Sequence, residues 1–375
     1  MPSMLPAIPK SLGTLSLVFA SALDSLSGKS NPLNLPSARS AIVILVDGLG
    51  RHNLAARAGH APFLSRLNAA SKPILCDFPS TTATSLTGFG TGLRAAEHGI
   101  IGYSVVGHGS PSVLNMLSGW SDEVVPQTWQ PSETVAERAN AAGKKVFFVG
   151  SPDYANSGFT EVFMRGAEYV AAKSMETRFA EAAKLVRTAG NLVYLYIPEL
   201  DQAAHSRGWE SDSWIDLLEA LDSEVRNLAG VLRKGEGLLL TADHGVIDVP
   251  TTNHIYLDEF GAAVEGFEAV AGDPRVNYVY LKQGEDPTAT AEAISERLPA
   301  GVVAVTGAHL IAAGCFGGTS LATEARIPDV VVLAVSKWAI YDRRFCKPKS
   351  VEMIGHHGSV SREELEVPLL RFGAY

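Results

Sequence analysis

Short apolar runs bounded by turn residues recur along the chain at residues 41–46, 145–149, 192–197, 238–240 and 330–335. Their shortness and their Val, Ile and Leu content predict strands buried on both faces. Between them, residues 132–142, 175–188 and 214–232 carry helical spacing. In the last of these, Ile215, Leu218, Leu221, Val225 and Leu228 make one apolar stripe. Strands alternating with helices predict an α/β domain with a largely parallel sheet. At the start, Leu12, Leu15, Leu17, Val18 and Leu26 suit one side of a leading helix. Residues 15–22, with Lys10 before them, also fit the core of an export signal. Asp24 follows at once, which favours the helix and a cytoplasmic protein. Residues from about 266 to 317 read as an insert, with a strand at 276–281, a helix around 288–298 and a strand at 302–306. That is enough for a small α/β lobe within one domain spanning 1–375, since neither an internal repeat nor a linker-like stretch interrupts the chain.

Composition narrows the classes. With 46% hydrophobic and 19% charged residues among 375, the chain has material for a large core and no signature of disorder. A net charge of −9 without any Lys or Arg block argues against binding nucleic-acid polymers. The longest apolar run falls short of the ~20 residues a membrane-spanning helix needs. Cys76, Cys315 and Cys346 are odd in number, far apart and lack a CxxC pair. A disulfide framework and a Cys-based zinc site are therefore disfavoured, and a reducing compartment fits.

Three of the predicted strands end alike. Residues 41–46 run into Asp47-Gly48; residues 192–197 lead to Asp201 and His205; residues 238–240 lead to Asp243-His244-Gly245. In an open parallel sheet, ligands bind beyond the carboxyl ends of the strands, so the three aspartates converge. Any one of them alone reads as a helix cap, a turn residue or a surface i,i+4 pair. Together, three crowded carboxylates repel one another unless cations hold them. A sixth candidate ligand lies in Gly355-His356-His357-Gly358-Ser359, where adjacent histidines beside a Gly turn also read as plain loop residues. A set of Asp and His without Cys suits zinc, and less well manganese or magnesium.

The candidate nucleophile lies in Phe78-Pro79-Ser80-Thr81-Thr82-Ala83-Thr84-Ser85, a hydroxyl-rich turn opening a predicted helix. Such a turn supplies an oxygen nucleophile and free N–H groups for phosphate, though it also resembles a simple run of N-cap residues. The following Gly88-Phe89-Gly90-Thr91-Gly92 lacks the placement and spacing of a dinucleotide fingerprint, and no Walker-type loop is present.

These motifs, taken in order, resemble the alkaline phosphatase superfamily, and within it the type I phosphodiesterase / nucleotide pyrophosphatase family. The resemblance spans Asp47, Thr82 with Thr91-Gly92-Leu93, Glu97-His98-Gly99-Ile100, Asp201 with His205, Asp243-His244-Gly245 and His357-Gly358. It implies a three-layer α/β/α sandwich around a largely parallel sheet, and two divalent ions, most naturally zinc. Carried over by position, Asp201, His205 and His357 would hold one ion; Asp47, Asp243, His244 and the Thr82 hydroxyl would hold the other. The family's nucleophile lies three residues after a proline and ten before the glycine of Thr-Gly-Leu; both counts reach Thr82, with Thr81 as the fallback. Where family diesterases carry an asparagine contacting a non-bridging phosphate oxygen, this chain has Tyr103. A sulfatase is disfavoured, because Cys76 precedes Pro79 by three residues rather than two. The expectation is a hydrolase of phosphodiester or pyrophosphate bonds in a small, nucleotide-like substrate, acting through a phospho-threonine. Its rivals are a phosphomonoesterase, phosphonate hydrolase or phosphomutase on the same scaffold, and a metal- or nucleotide-binding protein without turnover.

Overall fold

The expected apolar runs all form strands. In the computed structural model, which describes residues 13–107, 112–318 and 326–375, four of them lie side by side in one sheet with a further strand, Glu168–Ala171. They are β1 (Ser40–Val46), β2 (Lys145–Gly150), β3 (Glu168–Ala171), β4 (Asn191–Ile197) and β5 (Glu236–Thr241), in the order β5–β1–β4–β2–β3. Each neighbouring pair is parallel. The C-terminal strand Leu370–Gly373 adds antiparallel to the outer edge of β5. Every residue of β1, β4 and β5 is buried, which is why these segments read as continuous apolar runs rather than as alternating ones.

Helices cover the sheet in two sets. Helix α1 (Ser16–Leu26) packs on α2 (Thr82–Thr91) through stacked Phe19 and Phe89, 4.7 Å between ring centres. Leu15, Val18 and Leu26 are buried as the leading-helix reading expects, Leu17 half so; Leu12 and Lys10 lie outside the described residues. Helix α3 (Val135–Ala141) belongs to the same set. On the other side are α4 (Met175–Leu185), α5 (Glu199–Arg207) and α6 (Asp212–Gly230). The apolar stripe of α6 buries Leu218, Leu221, Val225 and Leu228 with Trp214, and leaves Ile215 half-buried. Each such side chain contributes about 1.5–3 kcal/mol when fully buried. Among the described residues, no helix is long and apolar enough to cross a membrane.

The small lobe differs from expectation in one respect. Strands β6 (Phe267–Asp273), β7 (Val276–Leu281), β8 (Val302–Thr306) and β9 (Val330–Ala334) form a second sheet in the order β6–β7–β9–β8, antiparallel throughout. The 330–335 run therefore belongs to the lobe, not to the parallel sheet, and the lobe extends beyond 317. The strand is indeed buried on both faces. Val330, Val332 and Ala334 pack with Ala291 and Ile294 of α7 (Pro287–Ser295), while Val331 and Leu333 join the main core. Two-sided burial thus has a source other than a parallel sheet, and the apolar run alone does not distinguish them.

Candidate metal centre and nucleophile

Three strand ends deliver the carboxylates to one place. Asp47 follows β1; Asp243 follows β5; Asp201 lies in the first turn of α5, directly after β4. The turn after β1 needs Gly48: its φ is +72°, and a Cβ there would meet Asp201 and Val246 at 3.0 Å. In return the Gly48 N–H donates to Asp243 Oδ1 at 3.1 Å, as does the His244 N–H at 3.0 Å. The remaining oxygen, Asp243 Oδ2, is buried without a hydrogen-bond partner. So are Asp47 Oδ1, Asp201 Oδ1 and His244 Nδ1. Asp47 Oδ2 accepts from Tyr196 Oη, a residue of β4 that the sequence did not single out.

The histidines complete the cluster. His205, one turn after Asp201 on α5, donates from Nδ1 to the Gly355 carbonyl (2.8 Å) and turns Nε2 to Asp201 Oδ2 (3.1 Å). His357 donates from Nδ1 to the Ser80 carbonyl (2.9 Å), leaving Nε2 3.3 Å from His205 Nε2 and 3.8 Å from Asp201 Oδ1. A carbonyl only accepts, so both Nδ1 atoms carry protons and both Nε2 atoms point inward. His244 Nε2 lies 3.4 Å from Asp47 Oδ1 and 3.5 Å from Asp243 Oδ2, and its ring stacks on His357 with 3.6 Å between centres. Two sets of ligand atoms each fall within 4.8 Å: Asp201, His244 and His357, and Asp47, Asp243 and His244, all buried. His205 adjoins the first set. His356 does not enter the cluster, since its two nitrogens go to the Ile354 carbonyl and to Tyr341 Oη.

The electrostatics are those of an over-charged site. Burial, then Asp243 and Asp201, push the Asp47 carboxyl well above its ordinary range. Burial and Asp201 raise Asp243 to about 7. Burial alone would raise Asp201, but His205, with His357 and His244, holds it below the usual carboxylate range. His205 goes up to about 9 because Asp201 outweighs the burial that opposes its charge. His244 is driven well below its ordinary value by burial and His357. Orphaned carboxylate oxygens beside inward-facing imidazole nitrogens are a donor set that divalent transition metals fit, zinc foremost.

Thr82 opens α2 with its Oγ1 3.2 Å from His244 Nε2. Thr81 is different: it is buried, and its hydroxyl donates to Thr84 Oγ1 at 3.1 Å. Thr82 lines a cavity of about 410 Å³ together with Asp47, Asp201, His205 and His357. One wall is aromatic, built from Phe148, Tyr154, Phe159, Phe163 and Tyr196. Tyr103 also lines the cavity and is 38% exposed. So does Asp273, at the end of β6, whose carboxyl burial raises while His357 and His205 draw it down. Neither the aromatic wall nor Asp273 was marked by any motif.

The sequence matches the type I phosphodiesterase / nucleotide pyrophosphatase family over residues 41–360. A phosphopentomutase from Shewanella woodyi is 33% identical over 119 residues, covering 31% of this chain and 27% of its own length. Human ectonucleotide pyrophosphatase/phosphodiesterase family member 1 is 24% identical over 246 residues, covering 62% of this chain and 26% of that protein. The chain thus matches about a quarter of the length of these curated relatives. In three dimensions it is similar to murine ectonucleotide pyrophosphatase/phosphodiesterase 5, with a TM-score of 0.69, 18% identity, and 89% and 88% of the two chains covered. An inactive form of that protein in complex with AMP also gives 0.69, at 17% identity over 89% and 88% of the chains. At such identities the likeness shows the fold: an alkaline-phosphatase-like α/β architecture with a mostly parallel central sheet.

Proposed function

The chain belongs to the type I phosphodiesterase / nucleotide pyrophosphatase family, and on that premise we propose that it is a metal-dependent hydrolase of phosphodiester or pyrophosphate bonds in nucleotide-like substrates. Thr82 is the nucleophile. Asp201, His205 and His357 hold one divalent ion, and Asp47, Asp243 and His244 hold the other, with zinc as the natural choice. The observation that carries this reading is the Thr82 hydroxyl, 3.2 Å from His244 in a cluster of orphaned carboxylate oxygens and inward-facing imidazoles. Divalent ions bound there supply charge neutralisation for the transferring group and lower the pKa of the Thr82 hydroxyl.

The chain's own groups divide the remaining work. Thr82 Oγ1 attacks phosphorus in line with the leaving oxygen, and a phospho-threonine forms. The first N–H groups of α2 face the phosphate, where the helix dipole favours negative charge. Tyr196 holds Asp47 through its hydroxyl. The aromatic wall houses the organic group and keeps water from it, and Tyr103 can donate its O–H to a phosphate oxygen. Water then cleaves the phospho-threonine and restores Thr82. A reducing, cytoplasmic setting fits the three free cysteines.

The partial match to a phosphopentomutase supports a second reading, a phosphomutase or phosphomonoesterase on the same scaffold. Protein purified without chelator decides between them. We expect about two divalent ions per chain by elemental analysis, and turnover of a nitrophenyl nucleotide diester that EDTA abolishes and zinc restores. Metal-restored activity confined to monoesters supports the second reading, and metal binding without any turnover opposes both.

A further inference from the structure

The cavity that holds Thr82 shares part of its wall, Tyr103 included, with a neighbouring one. Tyr103, Asp273, Pro274 and Ser350 line it on one side, and on the other they line a second cavity of about 370 Å³ against the small lobe. The charges inside the second cavity are unevenly placed. Asp342 is committed to the Arg344 guanidinium, its Oδ2 at 2.6 Å. Asn277 spends its amide N–H groups on the Asp273 and Ile340 carbonyls. Lys347 is exposed, at the cavity's outer rim. Asp273 stands at the junction of the two cavities, where its carboxyl takes the Arg275 backbone N–H.

In-line chemistry gives this junction a direction. Thr82 lies beside His244, on the side of Asp47 and Asp243. A nucleophile there drives the leaving oxygen toward the opposite side, that of Asp201, His205 and His357. Asp273 packs against Gly358, the residue after His357, where a Cβ would meet the Asp273 Cβ at 3.3 Å, so it stands on the leaving side. A fixed carboxylate at that place repels a departing phosphate and accepts hydrogen bonds from hydroxyl or amino groups.

Resting on the hydrolase reading above, we propose that Asp273 and the second cavity form a leaving-group subsite for an alcohol without negative charge. The protein is then a phosphodiesterase in preference to a pyrophosphatase, and a nucleoside is a suitable leaving group. In the transfer, the Thr82 Oγ1–P bond forms and the P–O bond to the alcohol breaks. The departing oxygen keeps the bonding pair and takes one proton, balancing the proton lost by Thr82. Water then breaks the Oγ1–P bond, leaving its hydroxyl on phosphorus and returning a proton to Thr82.

The test compares kcat/KM of the zinc-loaded protein on a dinucleoside monophosphate with that on ATP cleaved to AMP and pyrophosphate. A nitrophenyl nucleotide diester reports the chemistry itself. The wild type should prefer the dinucleoside monophosphate at least tenfold. Asp273→Asn should cut that preference about tenfold, mainly by gaining on ATP. In a Thr82→Ala background, equilibrium dialysis should show Asp273→Asn tightening ATP binding. A wild type that takes both substrates equally, or prefers ATP, overturns the subsite even if the variant does not fold. So does a variant that loses both activities in step. Failure on the nitrophenyl diester as well removes the hydrolase reading, and the subsite with it.

Discussion

Thr81 and Thr82 are neighbours of the same chemistry, and their surroundings separate them. The Thr81 hydroxyl is spent on Thr84 inside the core, whereas Thr82 faces His244 and the cavity. Thr82→Ala should keep its metal, because the Asp and His ligands remain, and lose turnover by roughly 10³-fold or more. Thr81→Ala should cost far less activity, and metal content measured alongside rates checks both variants. Reversed effects would put the nucleophile one residue earlier. Tyr103 calls for a different readout. Its ring lines both cavities and its hydroxyl is within reach of the Asn115 side chain. We expect the wild type to favour a nitrophenyl nucleotide diester over nitrophenyl phosphate, and Tyr103→Ala to lose selectively on the diester by about tenfold, ~1.4 kcal/mol. Equal losses on both esters would assign Tyr103 a role in the shared chemistry instead.

At the scale of elements, the site is an outcome of strand ends. Asp47, Asp201 and Asp243 were legible in the sequence because each follows an apolar run at the carboxyl end of a parallel strand. There the chain must turn and the side chains meet. His357 was legible only through its family neighbour glycine; nothing in the local pattern separates it from His356, and the distinction comes from tertiary partners. No sequence pattern marks the aromatic wall, because Phe148, Tyr154, Phe159 and Tyr196 come from separate segments with no shared spacing. Asp273 is unmarked for a related reason: a single carboxylate at the end of a lobe strand carries no motif. The 330–335 run was misplaced because burial on both faces is common to a parallel strand and to a lobe strand wedged between a helix and the main body. The turn after β1 is the most sensitive joint. Gly48→Ala forces φ +72° on a residue with a Cβ and presses it against Asp201. We expect a cost of about 1–3 kcal/mol in stability, measurable by thermal unfolding, together with weakened metal binding. Unchanged metal affinity would show that the turn does not govern the spacing of the carboxylates.

Across the whole molecule, the proposed metal centre should show in stability against pH. Without metal, the Asp201 carboxylate pushes His205 up to about 9, above its unfolded value of 6.5. A raised histidine contributes stability in full below 6.5 and loses it as pH climbs through 9. Asp243, raised to about 7, acts in the same direction over the lower part of that window. His98 and His356, both lowered to about 3, oppose this only below their unfolded value. The melting temperature of EDTA-treated protein should therefore fall between pH 6.5 and 9, and zinc should flatten the decline by replacing the proton on His205. A decline indifferent to zinc would argue that His205 holds no metal. At the centre of the proposed function is a metal-assisted phosphoryl transfer that passes through Thr82. Its most direct test is acid-quenched turnover of a nitrophenyl nucleotide diester by zinc-loaded protein, followed by peptide mass spectrometry. One phosphoryl group is expected on the Thr82 peptide, absent after EDTA and absent in Thr82→Ala. Zinc-dependent turnover with phosphate on Thr81, or with no phosphorylated peptide across the quench times, would contradict it.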